Sequence, residues 1–390
     1  MSPFPDVDFA FAERTLLGLL ALGGPSGQEG AVARRLTELM VAECGVAPGW
    51  ITHDDAHRRL AGYTVGNLVV RVPGTVPGPG RLFSTHMDTV PLCAGAVPKV
   101  DGGRVVPAGE TALGGDDRTG CAALVSMLHT LHARKLAHPP LVVLFTVGEE
   151  AGLLGAREAD PSVFAGIDMG FNVDGGAAAE MVRGAIGMQV WRAEIHGRSS
   201  HAGVYPGRGI SAIAIAALAL ADVVGSGGFG AIANERGRGT SNVGVIQGGQ
   251  ATNEVTRQVV VVGESRSHDP VFLDSITRTY ALAFERAADR VRTDNGERGT
   301  VDFRVRDALP GFAIPEDSPP CVHACRAARA IGLTPSLAIC DGGLDANYLS
   351  RHVPTLTFGA GQHDPHSLGE FVDLAEFRDG CRLAVALATT

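Results

Sequence analysis

The sequence predicts an α/β protein with a mainly parallel sheet, flanked by helices and interrupted by a small inserted α+β domain. Short apolar runs alternate with amphipathic helical segments over residues 1–185, as in proteins built around a parallel sheet. Over residues 186–306 the order becomes β-α-β-β-α-β, which is typical of a split βαβ unit. Because α/β alternation resumes at 307–390, we expect two sequence segments to form one larger domain around the insertion.

The strands of the larger domain are predicted from apolar runs that lack charge. Residues 141–146 are uncharged and rich in β-branched and aromatic side chains, which is typical of a strand buried on both faces. The other strands are predicted at 67–72, 81–85, 170–173, 337–340 and 355–358. Helices are predicted at 9–20, 26–41, 116–132, 320–331 and from 373 onward.

The second predicted helix carries a start signal. Ser26 is a candidate N-cap and Glu29 follows three residues later, which is the spacing of a capping box. We therefore expect both side chains to satisfy backbone groups at the start of that helix.

The inserted domain is predicted to contain two helices and four strands. Runs rich in glycine, aspartate and asparagine separate these elements and indicate turns. The helices are predicted at 209–224 and 272–292, and the strands at 187–196, 240–245, 255–266 and 300–305.

Composition excludes several classes of protein. The formal net charge of −9 argues against nucleic acid as a partner, and the 45% hydrophobic and 19% charged content is typical of a soluble globular protein. No apolar run approaches the ~20 residues that span a bilayer, so we expect no membrane partner. The start of the chain carries no secretory signal pattern, and the seven scattered cysteines suggest no disulfide framework. We therefore expect a cytoplasmic protein.

Several ionisable residues follow predicted strands or open a predicted helix. Glu149 and Glu150 come directly after the strand at 141–146, and neighbouring carboxylates repel unless a cation or a proton relieves them. In a parallel sheet the carboxyl ends of the strands lie at one edge, where such folds bind ligands. The other candidates for this edge are His86, Asp116, Asp174 and His366.

This set of side chains predicts a metal site. Imidazole and carboxylate together suit zinc, cobalt or manganese better than calcium, which prefers oxygen ligands alone. Two cations ~3.5–4 Å apart would need a bridging carboxylate. Taken singly, each residue has a structural explanation: Asp116 as an N-cap and Asp174 as a turn residue, for example.

Five segments carry a resemblance to a known family. The chain resembles the M20 metallopeptidases and, within them, the peptidase T-like branch. The resemblance covers almost the whole chain. The matching segments are 84–90 (Ser-Thr-His-Met-Asp-Thr-Val), 113–120 (Leu-Gly-Gly-Asp-Asp-Arg-Thr-Gly), 146–152, 173–176 (Val-Asp-Gly-Gly), and His366 with Glu370 and Phe371.

The resemblance implies an architecture and a cofactor. A zinc-exopeptidase-like catalytic domain would comprise 1–185 and 307–390, and residues 186–306 would form a lid that joins two copies in a homodimer. Two divalent metal ions are implied, with zinc as the expected metal and cobalt or manganese as alternatives.

The resemblance also assigns roles to the candidates at the sheet edge. His86 and Asp174 would hold one metal, Glu150 and His366 the other, and Asp116 would bridge them. Asp88 would orient His86. Glu149 would be the general base that takes a proton from the attacking water and passes it to the leaving amine. Asp117 competes with Asp116 for the bridge, and His363 competes with His366.

Three residues of the lid are implied to bind substrate. His201 would stabilise the oxyanion of the tetrahedral intermediate, Arg266 would grip a substrate carboxylate, and Asn253 would assist from the same lid or a partner lid. The structural alternatives are a turn histidine, a salt bridge at a strand end and a hairpin residue.

The expected function is hydrolysis of short peptides by a two-metal exopeptidase of the aminopeptidase or tripeptidase kind. Gly148 stands where peptidase T tends to carry an acid, which leaves strict tripeptide preference open. The alternatives are an M20 carboxypeptidase or N-acyl amino acid amidohydrolase, and a non-catalytic relative that binds metal or peptide. The presence of the base Glu149 argues against the last.

Overall fold

A computed structural model of the chain describes residues 6–390, which divide into two compact units. Among the described residues, unit 1 comprises 6–185 and Ala313–Thr390, and unit 2 comprises Ile186–Phe312. The insertion predicted from sequence ends at 306, whereas unit 2 continues to Phe312 because its last strand extends to Leu309.

The secondary structure alternates strands and helices along most of the chain. The helices are α1 (Phe9–Leu20), α2 (Gly30–Glu43), α3 (Ala56–Arg59), α4 (Gly115–Arg134), α5 (Leu154–Arg157), α6 (Ala212–Gly225), α7 (Pro270–Arg290), α8 (Pro319–Ala330), α9 (Ala346–Leu349) and α10 (Leu374–Thr389). The strands are β1 (Ile51–His53), β2 (Leu68–Val72), β3 (Gly80–His86), β4 (Pro98–Asp101), β5 (Arg104–Pro107), β6 (Leu141–Thr146), β7 (Ile167–Val173), β8 (Glu180–Ala185), β9 (Gly187–His196), β10 (Gly230–Asn234), β11 (Gly237–Gly248), β12 (Gln258–Ser267), β13 (Thr300–Leu309), β14 (Phe312–Ala313), β15 (Ser336–Cys340), β16 (Thr355–Phe358), β17 (Gln362–His363) and β18 (Phe371–Asp373).

The main sheet of unit 1 has the strand order β1-β2-β6-β3-β7-β16-β8-β14, with β15 also paired to β8. Its centre is parallel, since β3 pairs in parallel with both β6 and β7, and β7 with β16. His86 lies opposite Thr146, and Phe358 lies opposite Val173, so these strands end at one edge. The predicted α/β class, with a mainly parallel sheet, is confirmed.

The centre of this sheet is buried on both faces. All six residues of β6 and all seven of β3 are buried. Helix α4 packs against α1, α2, α10 and β3. Because each buried large apolar side chain contributes roughly 1.5–3 kcal/mol, this core holds the ends of β3 and β6 in fixed positions.

Unit 2 is a separate α+β layer with its own core. Its antiparallel sheet has the order β10-β11-β12-β9-β13, and α6 and α7 pack against it. Trp191 stacks near Tyr280 and Phe303 at the centre of this core. Strand β10 was not predicted from the sequence, because it is short and directly follows a glycine-rich run.

The predicted capping box at Ser26 is wrong. Helix α2 begins at Gly30, and Glu29 makes no side-chain cap hydrogen bond to it. Ser26 Oγ instead donates to Asp88 Oδ2 at 2.6 Å, and the Glu29 carboxylate accepts hydrogen bonds from Gly27 and Gly148. Asp88 and Gly148, which are distant in sequence, thus take the place of the expected capping partners.

From the sequence we expected no disulfide framework and no segment that spans a membrane. All seven cysteines lie in the described part of the chain, and none of them forms a disulfide there. Over residues 6–390, no helix combines the length and apolar character needed to cross a bilayer.

Candidate metal centre

Three potential metal ligands converge where β3 and β7 end. His86 is the last residue of β3, Asp174 directly follows β7, and Asp116 lies at the entrance to α4. One ligand atom from each residue lies within 4.8 Å of the others. His86 Nε2 is 2.9 Å from Asp116 Oδ1. The distances and the chemistry of these donors suit one divalent cation.

A second group of three ligands shares Asp116 with the first. Asp116, Glu150 and His366 also place one ligand atom each within 4.8 Å of one another. His366 Nε2 lies 2.8 Å from Glu150 Oε1 and 3.4 Å from Asp116 Oδ2. The two oxygens of Asp116 therefore face different groups, which is the arrangement that a bridging carboxylate requires.

The two neighbouring aspartates at the start of α4 differ in position. Asp117 is fully buried; its Oδ1 accepts the Gly120 N–H at 3.0 Å, and Thr85 donates to its Oδ2. Asp117 therefore caps the helix, while Asp116 faces the candidate ligands. The peptide bond between the two residues is cis.

Glu370 holds the segment that leads to Asp116. Its buried carboxylate accepts the N–H groups of Leu113 at 2.7 Å, Gly114 at 2.9 Å and Asp116 at 3.1 Å. The sequence analysis used Glu370 only as a landmark for His366 and did not assign it a role. These three hydrogen bonds fix the backbone from which the Asp116 side chain projects.

Asp88 connects the histidine of β3 to the loop after β6. Its Oδ1 accepts the Glu149 N–H at 3.0 Å, and its Oδ2 accepts the Glu150 N–H at 3.1 Å. His86 Nδ1 lies 3.1 Å from the backbone oxygen of Asp88 and 3.5 Å from its carboxylate. Asp88 thus contacts His86 and also holds the backbone of the two glutamates, a contact that was not predicted from the sequence.

His363, the alternative to His366, lies outside both groups of candidate ligands. His363 Nε2 lies 2.5 Å from Glu376, and its ring stacks on Phe371 with 4.9 Å between ring centroids. Neither group of candidate ligands includes it. The geometry therefore favours His366 over His363.

Two further polar residues at this edge were missed from the sequence. Gln362 Nε2 donates to Asp174 Oδ1 at 3.1 Å and fixes that carboxylate. Asp345 is buried and accepts a hydrogen bond from the Thr146 hydroxyl, while its other oxygen, Oδ1, has no hydrogen-bond partner among residues 6–390. Asp345 comes soon after β15, and that position after a strand was a signal which could have identified it.

The acids of the site repel one another in the absence of a cation. Burial, reinforced by Asp116, raises the pKa of Glu150 to about 7 and raises that of Asp174 well above its usual range. Burial opposes protonation of His86, but hydrogen bonds to Asp116 and Asp88 raise its pKa well above the ordinary value. Divalent cations would supply the positive charge that protons supply here, so this donor set fits them.

Glu149 lies among these charges. Burial, together with the charges of Asp174, Asp345 and Asp116, raises the pKa of its carboxyl group well above the usual range, although His86 opposes the shift. A carboxylate with a raised pKa that lies beside a cation site is suited to accept and return a proton.

The lid candidates lie in unit 2. His201 is exposed, its Nδ1 accepts the Gly203 N–H at 3.2 Å, and its backbone pairs with Glu254. The backbone oxygen of Asn253 accepts the Ala202 N–H at 2.9 Å, so Asn253 belongs to the same loop contact. Arg266 lies near the end of β12 and pairs with Glu264 at 3.0 Å.

Comparison with known proteins identifies relatives over the whole chain. Residues 82–390 match the model of peptidase family M20/M25/M40. YqjE of Bacillus subtilis strain 168, described as uncharacterized, is 33% identical over 336 residues, which are 86% of this chain and 87% of YqjE.

Two solved structures share the fold and cover 98% of both chains. The aminopeptidase PepT from Bacillus cereus ATCC 10987 has 30% identity and a TM-score of 0.87. A tripeptidase from Staphylococcus aureus Mu50 has 27% identity and a TM-score of 0.86. The chain therefore belongs to peptidase family M20/M25/M40, in its peptidase T-like branch, and it is a metal-dependent exopeptidase.

Proposed function

We propose that this protein is a two-metal aminopeptidase that removes the N-terminal residue of short peptides, tripeptides among them. The observation that carries the proposal is the shared carboxylate: Asp116 belongs to both ligand groups, and Glu149 lies beside them. The similarity to an aminopeptidase and to a tripeptidase supports the choice of peptide end.

The assigned ligands are His86 and Asp174 for one ion, Glu150 and His366 for the other, and Asp116 for both. Zinc is the proposed metal, with cobalt or manganese as alternatives, because imidazole nitrogens share the site with carboxylates. When bound, such ions would polarise the scissile carbonyl and lower the pKa of the attacking water.

Glu149 is the proposed general base and acid. Within the described residues its side chain accepts no hydrogen bond, while its backbone N–H is held by Asp88. The carboxylate is therefore free to take a proton from the attacking water and to pass it to the amine that leaves. Such transfers contribute roughly 10²–10⁴-fold to rates.

His201 is the proposed oxyanion donor. Because its Nδ1 accepts the Gly203 N–H, the neutral ring carries its proton on Nε2. That N–H points away from the loop hydrogen bond and can donate to the developing oxyanion.

The lid geometry supports the proposed homodimer. His201 pairs with Glu254, which precedes β12, while Arg266 lies near the other end of that strand. About eight residue steps separate Gln258 from Arg266, or roughly 27 Å at the rise of a strand. An extended tripeptide spans only about 10 Å. One substrate therefore cannot contact both side chains of the same lid, and we propose that His201 and Asn253 act on the partner's site, while Arg266 acts on its own.

The proposed location is the cytoplasm. The seven free thiols support a reducing compartment, since buried Cys121 and Cys381 form no disulfide.

A panel of peptides tests the function. Metal-stripped protein, reloaded with zinc, cobalt or manganese, is assayed on di- and tripeptides that are free, N-acetylated or C-amidated. We expect release of the N-terminal residue only from peptides with a free α-amine. Cleavage only of N-acylated amino acids would favour an amidohydrolase, release of the C-terminal residue would favour a carboxypeptidase, and metal binding without turnover would favour a non-catalytic relative.

A further inference from the structure

The loop that carries the proposed base and ligand is held by three consecutive hydrogen bonds to carboxylates. The N–H of Gly148 donates to Glu29 Oε1 at 3.1 Å. The next two N–H groups, of Glu149 and Glu150, donate to the two oxygens of Asp88 at 3.0 and 3.1 Å. Three successive donors that point at acidic groups define the path of this loop.

The two accepting carboxylates are themselves joined through one short segment before α2. Ser26 Oγ donates to Asp88 Oδ2 at 2.6 Å, and the Gly27 N–H donates to Glu29 Oε1 at 2.8 Å. The hydrogen bonds therefore close a ring that runs from Ser26 through Asp88 and the loop at Gly148 to Glu29 and back through Gly27.

Glu29 is buried deeply enough for this contact to be strong. Its side chain is fully buried, and one oxygen atom, Oε1, accepts both N–H groups. A buried N–H that loses its acceptor pays the full desolvation penalty. Loss of Glu29 would therefore leave Gly27 and Gly148 each with an unsatisfied donor in the protein interior.

The backbone at position 148 makes this restraint specific. Gly148 has a φ of +63°, which side chains other than glycine rarely allow, and a Cβ there would overlap the Tyr63 hydroxyl. A glycine with this freedom needs an external restraint to keep one conformation, and the Glu29 carboxylate provides it.

We propose that Glu29 is a positioning residue which, through Gly148, sets the orientation of the base Glu149 and the ligand Glu150. The proposal rests on the proposed function, since it assumes those roles for the two glutamates. In this role Glu29 acts by accepting hydrogen bonds from Gly27 and Gly148, and its charge is not required.

The test compares the variants Glu29→Ala, Glu29→Gln and Ser26→Ala with a control, Glu43→Ala. Glu43 is an exposed glutamate at the end of helix α2, which begins directly after Glu29. We expect Glu29→Ala to lower kcat about 10–100-fold with KM changed less than about twofold, the size of effect seen for groups that support a metal site. Glu29→Gln retains an acceptor oxygen and should stay within about threefold of the wild type, as should Glu43→Ala.

Amide hydrogen exchange on the metal-free protein gives a readout that does not depend on activity. In Glu29→Ala the exchange at Gly148 should rise about tenfold or more, while Glu29→Gln should resemble the wild type. Ser26→Ala should raise exchange at Glu149 and Glu150 even if Glu29→Ala does not fold.

Unchanged exchange and unchanged kcat in Glu29→Ala and Ser26→Ala would overturn the proposal, as would a Glu29→Gln variant as impaired as Glu29→Ala. Failure of the wild type to hydrolyse peptides would instead reject the proposed function, and the exchange data would still decide whether Glu29 restrains the loop.

Discussion

At the scale of single residues, the site separates acids that look alike in sequence. Asp116 and Asp117 are neighbours, yet one faces the candidate ligands and the other caps α4 through the Gly120 N–H. Glu149 and Glu150 are also neighbours, and only Glu150 lies within reach of His366. Side chains of adjacent residues in a turn point in different directions, so the two members of each pair can have different roles.

Replacing Glu149 with Gln tests its assignment as the general base. The variant keeps the shape of the side chain but cannot take up a proton, so kcat should fall about 10²–10⁴-fold. Metal content, measured by mass spectrometry of the purified protein, should stay at the wild-type value because Glu149 is not an assigned ligand. Turnover close to that of the wild type would reject Glu149 as the base.

A buried histidine far from the metal site sets a pH dependence of stability. His323 lies on α8 and contacts the backbone oxygen of Leu387 at 3.2 Å, and burial together with the charge of Arg81 lowers its pKa to about 4. The folded state therefore resists protonation that the unfolded chain accepts near pH 6.5. Stability is complete above about pH 6.5 and is lost as the pH falls toward 4.

His323→Gln should remove this part of the acid sensitivity. Between pH 6.5 and 4 the wild type should lose about 2 kcal/mol more unfolding free energy than the variant, after allowance for partial solvent screening. Chemical unfolding at a series of pH values measures the difference. Val322→Gln, an exposed position on the same helix, is the control and should keep the wild-type slope.

At the scale of elements, the ends of β3, β6 and β7 and the start of α4 converge because the sheet aligns them. The register of β3 with β6 places His86 opposite Thr146, three residues before Glu149. Helix α4 contributes through its first turn, where Glu370 holds the backbone. The positions of the candidate ligands are thus fixed by strands and a helix that are anchored in a buried core.

Glu370→Ala should disturb that first turn. Three N–H groups would lose their acceptor, so the unfolding free energy should fall by about 3 kcal/mol. Metal affinity, measured by competition with a chelator, should fall about 10–100-fold because Asp116 loses its support. Glu110→Ala, at an exposed acid shortly before this turn, is the control. Unchanged metal affinity in Glu370→Ala would show that the first turn of α4 does not support metal binding.

Sequence reasoning predicted the elements whose signals are local. The apolar run of β6 and the acids that follow strands were sufficient to predict the sheet edge and the ionisable side chains that gather there. Ser26 and Glu29 could not be assigned in this way, because their partners are distant: Glu29 and Gly148 are 119 residues apart. Hydrogen bonds of this kind form only after the chain has folded. The spacing of Ser26 and Glu29 also matches a capping box, and this local pattern led to a wrong prediction.

At the scale of the whole molecule, the two units each have a core and each carry part of the proposed machinery. All assigned metal ligands lie in unit 1, and His201, Asn253 and Arg266 lie in unit 2. Because of the distance along β12 between the His201 loop and Arg266, we propose a dimer in which sites are completed across subunits.

Subunit mixing tests that arrangement. Glu149→Gln and His201→Ala should each be nearly inactive alone, but a mixed dimer would contain one site with Glu149 and a partner's His201 both intact. Equimolar mixing under conditions that exchange subunits should restore about a quarter of wild-type activity. Absence of recovery, with exchange shown by differently labelled subunits, would mean that His201 acts within its own chain.

The proposed two-metal site depends on Asp116, which we expect to bridge two metal ions at the edge of the sheet. Anomalous diffraction from crystals of the zinc-loaded protein tests it most directly. We predict two peaks about 3.5–4 Å apart, one beside His86 and Asp174, the other beside Glu150 and His366, with Asp116 between them. A single peak, or two peaks that do not share Asp116, would contradict the account.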